Sequence, residues 1–203
     1  MTSPNLPQCF ACKYGGQEFP CRTADGRFDF EKVARAIVER GRSIAEAYRA
    51  RAGAELVDHD IEYPNDWAVD CEFDLLHDHP DLVLPLIVAE MDACETGDDA
   101  AYIAAGFIES AMVKHGPQLI DRVEAIARRS AKFRYILSGI WSQGGSMDAD
   151  VWARIAKALD TSQHMDDDAR TPAAGSDGEI LDEADVRKLM GERVADVASA
   201  IVT

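Results

Sequence analysis

Apolar positions recur at helical spacing through most of the chain. After Gly26 and Asp29, residues Phe30, Val33, Ala34, Ile37 and Val38 fall on one stripe, followed by Ile44, Ala47 and Tyr48. This predicts a helix after Asp29, bent or divided at Gly41. Asp66 is placed to cap a second helix through DWAVDCEFDLLHD, which ends near His79-Pro80 because proline disfavours helix in the residue before it. A third helix runs through DLVLPLIVAEMDAC, with Pro85 close to its first turn, where a missing N–H is tolerated. Gly97-Asp98 opens a fourth through DAAYIAAGFIESAMVKH, and Gly116-Pro117 separates it from QLIDRVEAIARRS. Ser130 begins AKFRYILSGIW, and Asp148 is a plausible cap for DADVWARIAKAL after the Gly144-Gly145-Ser146 break.

These elements predict an all-α fold, an irregular or HEAT-like stack of antiparallel helices joined by tight Gly/Pro turns. No internal repeat of fixed period supports a true solenoid. Trp67, Phe107, Ile120, Phe133, Ile136, Trp141 and Trp152 are the expected core. Four regions follow: a cysteine-containing N-terminal arm at 1–28, a helical domain at 29–159, an acidic linker at 160–181 and an amphipathic C-terminal helix at 182–203. The linker is rich in Asp, Ala, Gly, Ser, Thr and Pro, which predicts a charge-extended, mobile segment. The last helix places Val186, Leu189, Met190, Val194, Val197 and Ile201 on one stripe. That stripe must be covered by its own body, by a second copy in a homodimer, or by a partner. Docking on its own body is the favoured reading.

One stretch carries a family resemblance. The run LIDRVEAIARRSAKFRYILSGIW, from Leu119 to Trp141, is followed by DVWAR, from Asp150 to Arg154. Together they resemble the signature of an uncharacterised bacterial helical domain of unknown function, with the likeness extending back to about Trp67. The resemblance implies an all-helical fold and brings no activity with it.

Charge changes the picture more than composition does. The 203 residues carry a net charge of −16, and it is unevenly spread. Between Arg51 and Lys114 there is no Lys or Arg, while sixteen Asp and Glu fall in that interval. A scatter of solubilising acids would rarely leave such a gap. A body this negative repels a phosphate backbone, so direct nucleic-acid binding is disfavoured. The cluster Arg128, Arg129, Lys132 and Arg134 is read as the internal counter-surface of the acidic helices. The N-terminus MTSPNLPQ lacks the basic and apolar regions of a signal peptide, and no stretch approaches a membrane span. Five cysteines, an odd number, suit a reducing compartment, so the expectation is a cytoplasmic protein.

Two constellations bear on chemistry. Cys9, Cys12 and Cys21 form a C-x2-C-x8-C arrangement, and a C-x2-C pair is a common half-site for tetrahedral zinc. No further Cys or His follows Cys21 before His59, so a fourth ligand would have to be His59 or Cys71. The competing reading, which is favoured, is that these thiols pack as small apolar residues beside Phe10, Tyr14 and Phe19. No cofactor is then required. The second constellation is Asp70, Asp74 and His77, at i, i+4, i+7 spacing, with His59 within reach of the same chemistry. Such a face could hold a divalent cation or pair a carboxylate with an imidazole, but the Glu-x-x-His pattern of di-metal bundles does not occur. A solvated polar face is favoured. No nucleophile elbow or phosphate loop occurs either.

The solvated face is still unusual. Asp66, Asp70, Asp74 and Asp78 are like charges at successive i, i+4 positions, each pair costing about 0.2–0.5 kcal/mol. A ridge that stability disfavours is evidence that a partner uses it. The leading expectation is therefore a non-enzymatic acidic binding or inhibitor protein that docks a basic protein surface, of toxin-immunity or phage anti-defence, nucleic-acid-mimic type. Its partner would then include nucleic-acid-binding proteins. The alternatives are a metal-dependent enzyme using the Asp/His face and an adaptor acting through the C-terminal helix.

Overall fold

The computed structural model describes residues 20–50, 63–141, 146–159, 165 and 181–200. Among them there is no strand, only an isolated antiparallel bridge between Arg22 and Phe28 closed by Gly26 at φ 80°. The helices are α1 (Phe30–Ala50), α2 (Asp66–Asp78), α3 (Pro80–Ala93), α4 (Gly97–Ile103), α5 (Glu109–Ala127), α6 (Ala131–Leu137), α7 (Ala149–Leu159), α8 (Glu183–Met190) and α9 (Val194–Ser199). A π-helical segment, Ala104–Ile108, joins α4 to α5. Long α1 packs along α3, with α2 and α4 on either side, and α7 lies on α5. The fold is all-α and irregular.

Several helix starts follow from local chemistry. Asp29 Oδ1 accepts the Lys32 amide at 3.0 Å, Ser130 Oγ accepts Phe133 N at 3.0 Å, and Asp148 Oδ1 accepts Val151 N at 3.2 Å. Each satisfies an amide that a first turn leaves without a partner. Asp66 does not cap α2. Asn65 holds that position at φ 69°, and Asp66 is the first helical residue. Its side chain is thereby turned to other partners. Pro85 lies inside α3, which begins at Pro80, so its ring removes a hydrogen bond in the second turn rather than the first.

Two glycines were read as breaks and are not. α1 runs without interruption through Gly41, where a Cβ would stand 2.5 Å from Tyr102 Cδ1. α5 runs through Gly116-Pro117, and a Cβ at Gly116 would stand 2.8 Å from Val151 Cγ1. Both glycines serve close approach between helices, α1 to α4 and α5 to α7. Such a need leaves no local signature.

The core runs through Ile37, Leu86, Ile87, Met91, Ile103, Ile108, Met112, Ile126, Phe133, Ile136 and Leu137. Phe107, Ile120, Phe133 and Ile136 are buried as expected. Trp67, Trp141 and Trp152 are only half-buried. Trp67 and Trp152 pack on the core's edge, a common position for a side chain too large to be enclosed.

The C-terminal stripe is docked on its own body, but it is not one helix. The chain turns at Gly191 and Glu192, whose amides bond Lys188 and Leu189 carbonyls at 3.2 and 3.0 Å. Val186, Met190 and Val194 are buried, and Asp92 of α3 caps α9 by accepting Val194 N at 2.6 Å and Ala195 N at 3.2 Å. Leu189 and Val197 of the stripe are half-buried.

Two expectations fall largely outside the described residues. One is mobility across 162–178, where only Met165 is described. Met165 N donates to Ser138 Oγ at 3.0 Å, and its side chain lies against Gly139. The other is the zinc knuckle, because Cys9, Cys12 and His59 lie outside the described residues. Cys21 is buried with Phe28 in the core. No helix among the described residues is long and apolar enough to cross a membrane.

Candidate functional site

Of the four aspartates expected to form a ridge on α2, the first is tied to a neighbouring helix. Asp66 Oδ1 lies 2.5 Å from Arg40 Nε of α1, and Asp66 Oδ2 accepts the Tyr63 amide at 3.0 Å. Arg40 also donates from Nη1 to the Tyr102 hydroxyl at 2.6 Å and stands 5.7 Å from the centroid of the Tyr63 ring. Asp66 therefore ties α2 to α1. Asp70 and Asp74 are half-buried, and Asp78 is exposed.

Between these carboxylates stands a residue that the pattern did not single out. Phe73 is 60% exposed, and its ring stacks on His77 with centroids 4.0 Å apart. The His77 Nδ1–H donates to the Phe73 carbonyl at 2.8 Å, which fixes the imidazole over the phenyl ring. His77 is thus an aromatic neighbour of Phe73. Among the described residues, no three His, Cys, Asp or Glu side chains converge as metal ligands.

Most of the cations that answer the acidic block come from α1, with Arg193 adding a longer contact to Asp92 at 3.9 Å. Arg42 makes a two-pronged bond to Asp99, Nε to Oδ1 at 2.8 Å and Nη2 to Oδ2 at 2.7 Å, and also reaches Glu95 at 2.9 Å. Arg49 reaches Asp98 at 2.5 Å. Burial alone would raise the Asp99 carboxyl, but Arg42 and the Glu95 amide outweigh it and hold it below the usual range. The expected counter-surface is corrected accordingly. Arg128 pairs within α5 with Glu124, and Arg134 Nη1 donates to the Ala127 carbonyl at 2.5 Å. Lys132 is fully buried and donates to the carbonyls of Cys94 and Met190. Helix propensity and charge counts do not say which way these side chains point.

Beside the ridge lies a cleft of about 290 Å³ between α1, α2, the end of α4 and the π-helical segment. Ile37, Val69, Phe73, Leu76, Ile103 and Phe107 form apolar walls, and Arg40, Glu72, Tyr102 and Ser110 supply polar groups. Gly106, with φ −100° and ψ −106°, departs from helical geometry where the π segment meets the cleft. Such single-turn π segments are frequent at functional sites.

Behind the cleft is an acid pair that sequence reasoning missed. Glu90 of α3 is fully buried, and among the described residues no N–H or O–H donor reaches either of its carboxyl oxygens. Its carboxyl faces that of Glu72. Burial pushes Glu72 up to about 7, and burial together with the neighbouring Glu72 pushes Glu90 well above the usual carboxylate range. Two carboxylates in a low dielectric cannot both be ionised, so the pair holds a shared proton near neutrality. Burial also raises the Tyr102 hydroxyl, against the pull of Arg40. One sequence signal was available: Glu90 is the lone acid inside the apolar run LVLPLIVAEM.

Residues 56–163 match a family of unknown function (DUF6869). The chain belongs to that family. The family segment spans α2 to α7, and so contains Phe73, Glu72, Glu90 and Tyr102, whereas Arg40 on α1 and the docked helices α8 and α9 lie outside it. It agrees with the resemblance carried by the Leu119–Trp141 run and extends it in both directions. Neither the curated proteins nor the solved structures give a match to the chain.

Proposed function

We propose that this protein is a non-enzymatic binding protein that docks a basic protein surface through the outer face of α2. The observation that carries the reading is Phe73, a large aromatic side chain 60% exposed on a ridge flanked by Asp70, Asp74 and Asp78. An aromatic anchor ringed by charge is the anatomy of an interface hot spot. Burying such a ring against a partner contributes about 1.5–3 kcal/mol, while the carboxylates steer a cationic surface towards it. Stacking on His77 holds the ring in one orientation before docking, which lowers the entropy cost of binding. The net charge of −16 favours a basic partner, and a nucleic-acid-binding protein is one class that carries such a surface.

Site-specific photo-crosslinking tests this reading. A benzoylphenylalanine at position 73 is expected to capture a basic protein at low salt, and one at exposed Asp150 on α7 is expected to capture none. The cross-link should disappear in an Asp70→Asn/Asp74→Asn background. Identical products from both positions, or none from position 73, would overturn it.

A further inference from the structure

We propose that the cleft beside α2 is a binding site for a primary alkylammonium group, held by the carboxyls of Glu72 and Glu90. The inference is independent of the docking face, because the ligand needs no protein partner. Glu90 is completely enclosed yet has no donor among the described residues. Buried polar atoms are almost always bonded, so a group left in this state calls for a ligand or a proton. Its neighbour Glu72 is one of the residues that line the cleft, whose other walls are chiefly apolar.

The chemistry of the lining selects among ligands. An anion would meet Glu72 and the enclosed Glu90 behind it. A divalent metal would find two carboxylates and no third ligand among the described residues. The charge of Arg40 pulls Glu72 downward, but its Nε bonds Asp66 and its Nη1 the Tyr102 hydroxyl. A primary ammonium offers three donors, enough for oxygens of both acids, and an alkyl chain suits Val69, Leu76, Ile103 and Phe107. The exchange balances: the ammonium keeps its three protons, the shared proton leaves to solvent, and both carboxylates are then ionised.

The other charged and titratable groups around the pair have bonds of their own. Arg40 comes from α1, Asp66 from α2 and Tyr102 from α4, while His115 of α5 has its Nε2 on the Leu76 carbonyl at 2.6 Å. Lys132 of α6 is bonded to carbonyls, and burial pushes both the Tyr102 hydroxyl and the Cys94 thiol of the α3 terminus upward, away from neutrality. Arg193, at the start of α9, turns to Asp92.

The probe is n-butylammonium chloride, titrated into the full chain with 1-butanol and sodium chloride as controls. Amide NMR shifts should saturate for residues of α2 and of 104–108 with a dissociation constant on the order of millimolar, as expected for so small a ligand. Calorimetry at about pH 6.5, in two amine-free buffers of different ionisation enthalpy, should show up to about one proton released per ammonium bound. Glu72→Gln should weaken binding at least about tenfold and abolish the proton release. Glu90→Gln should do the same, with circular dichroism checking that each variant is folded. If butanol saturates the same amides equally well, or if butylammonium shifts no amide of the cleft in the wild type, the proposal is overturned. Salt-induced shifts identical to those of butylammonium would overturn it too.

Discussion

Lys132 Nζ lies 2.7 Å from the Met190 carbonyl and 3.2 Å from the Cys94 carbonyl, joining the C-terminal ends of α8 and α3 through one buried ammonium. Both carbonyls belong to helix ends, where the backbone leaves acceptors without partners and the helix dipole favours a cation. The α6 residue thus clamps the C-terminal unit onto the core, and Glu192 Oε2 returns the contact by accepting the Lys132 amide at 3.2 Å. Lys132→Met keeps the stem and removes three donors. It is expected to cost about 2–4 kcal/mol, the penalty for two deserted acceptors at a well-packed site. Hydrogen exchange should quicken first at Val186–Val194, before the α1 and α3 amides. Unchanged protection there would mean the clamp is dispensable.

The acid pair gives the fold a dependence on pH opposite to that of an ordinary surface carboxylate. Glu72 and Glu90 bind protons more tightly when folded than when unfolded, since burial raises both. Their contribution is therefore fully present below about pH 4.5 and is lost as pH rises through about 7, the folded value of Glu72. Chemical denaturation should show stability falling between pH 5 and pH 8 by an amount on the order of 2–3 kcal/mol. Asp99 acts in the other direction: its folded value is lowered, so its contribution fades only as pH falls below the ordinary aspartate range. Replacing Glu72 with Gln should flatten the neutral limb and leave the acid limb in place. A wild-type profile flat from pH 5 to pH 8 would contradict the shared proton.

The contact between α5 and α7 depends on a missing side chain. Gly116→Ala puts a Cβ 2.8 Å from Val151 Cγ1, so α7 must move or Val151 must leave its rotamer. Alanine is the better helix former by about 1 kcal/mol, yet the variant should be destabilised by about 1–3 kcal/mol because overpacking outweighs propensity. A thermal melt that rises instead would show that α7 yields freely.

That glycine also marks the boundary of what the chain discloses by itself. The caps at Ser130 and Asp148, the stop before Pro80 and the all-helical class were legible, because each depends on residues a few positions apart. Gly41 and Gly116 looked like breaks, since their purpose lies across the fold at Tyr102 and Val151. Asp66 looked like a cap for the same reason, its real partner being Arg40, 26 positions away. At the candidate site, periodicity put Asp70, Asp74 and Asp78 on α2 but gave Phe73 no prominence, because a single exposed aromatic has no period. The Glu72–Glu90 pair required knowing that α2 and α3 face each other.

The docking reading makes a prediction that separates charge from contact. Asp74→Asn/Asp78→Asn removes two like charges at i, i+4 from the ridge. Against the partner captured through position 73, the same variant should associate more slowly while its dissociation rate barely changes, since charge on the rim acts through steering. Phe73→Ala should do the reverse, with association nearly intact and dissociation faster by about tenfold or more, as expected for a buried anchor. Wild-type association should also slow steeply between about 50 and 300 mM salt, over which the screening length contracts below the span of the ridge. Stopped-flow measurements on the three proteins read all of these rates. If the two variants slow association equally and share one dissociation rate, Phe73 is no anchor. If salt leaves the wild-type rate unchanged, the carboxylates of α2 do not steer the partner.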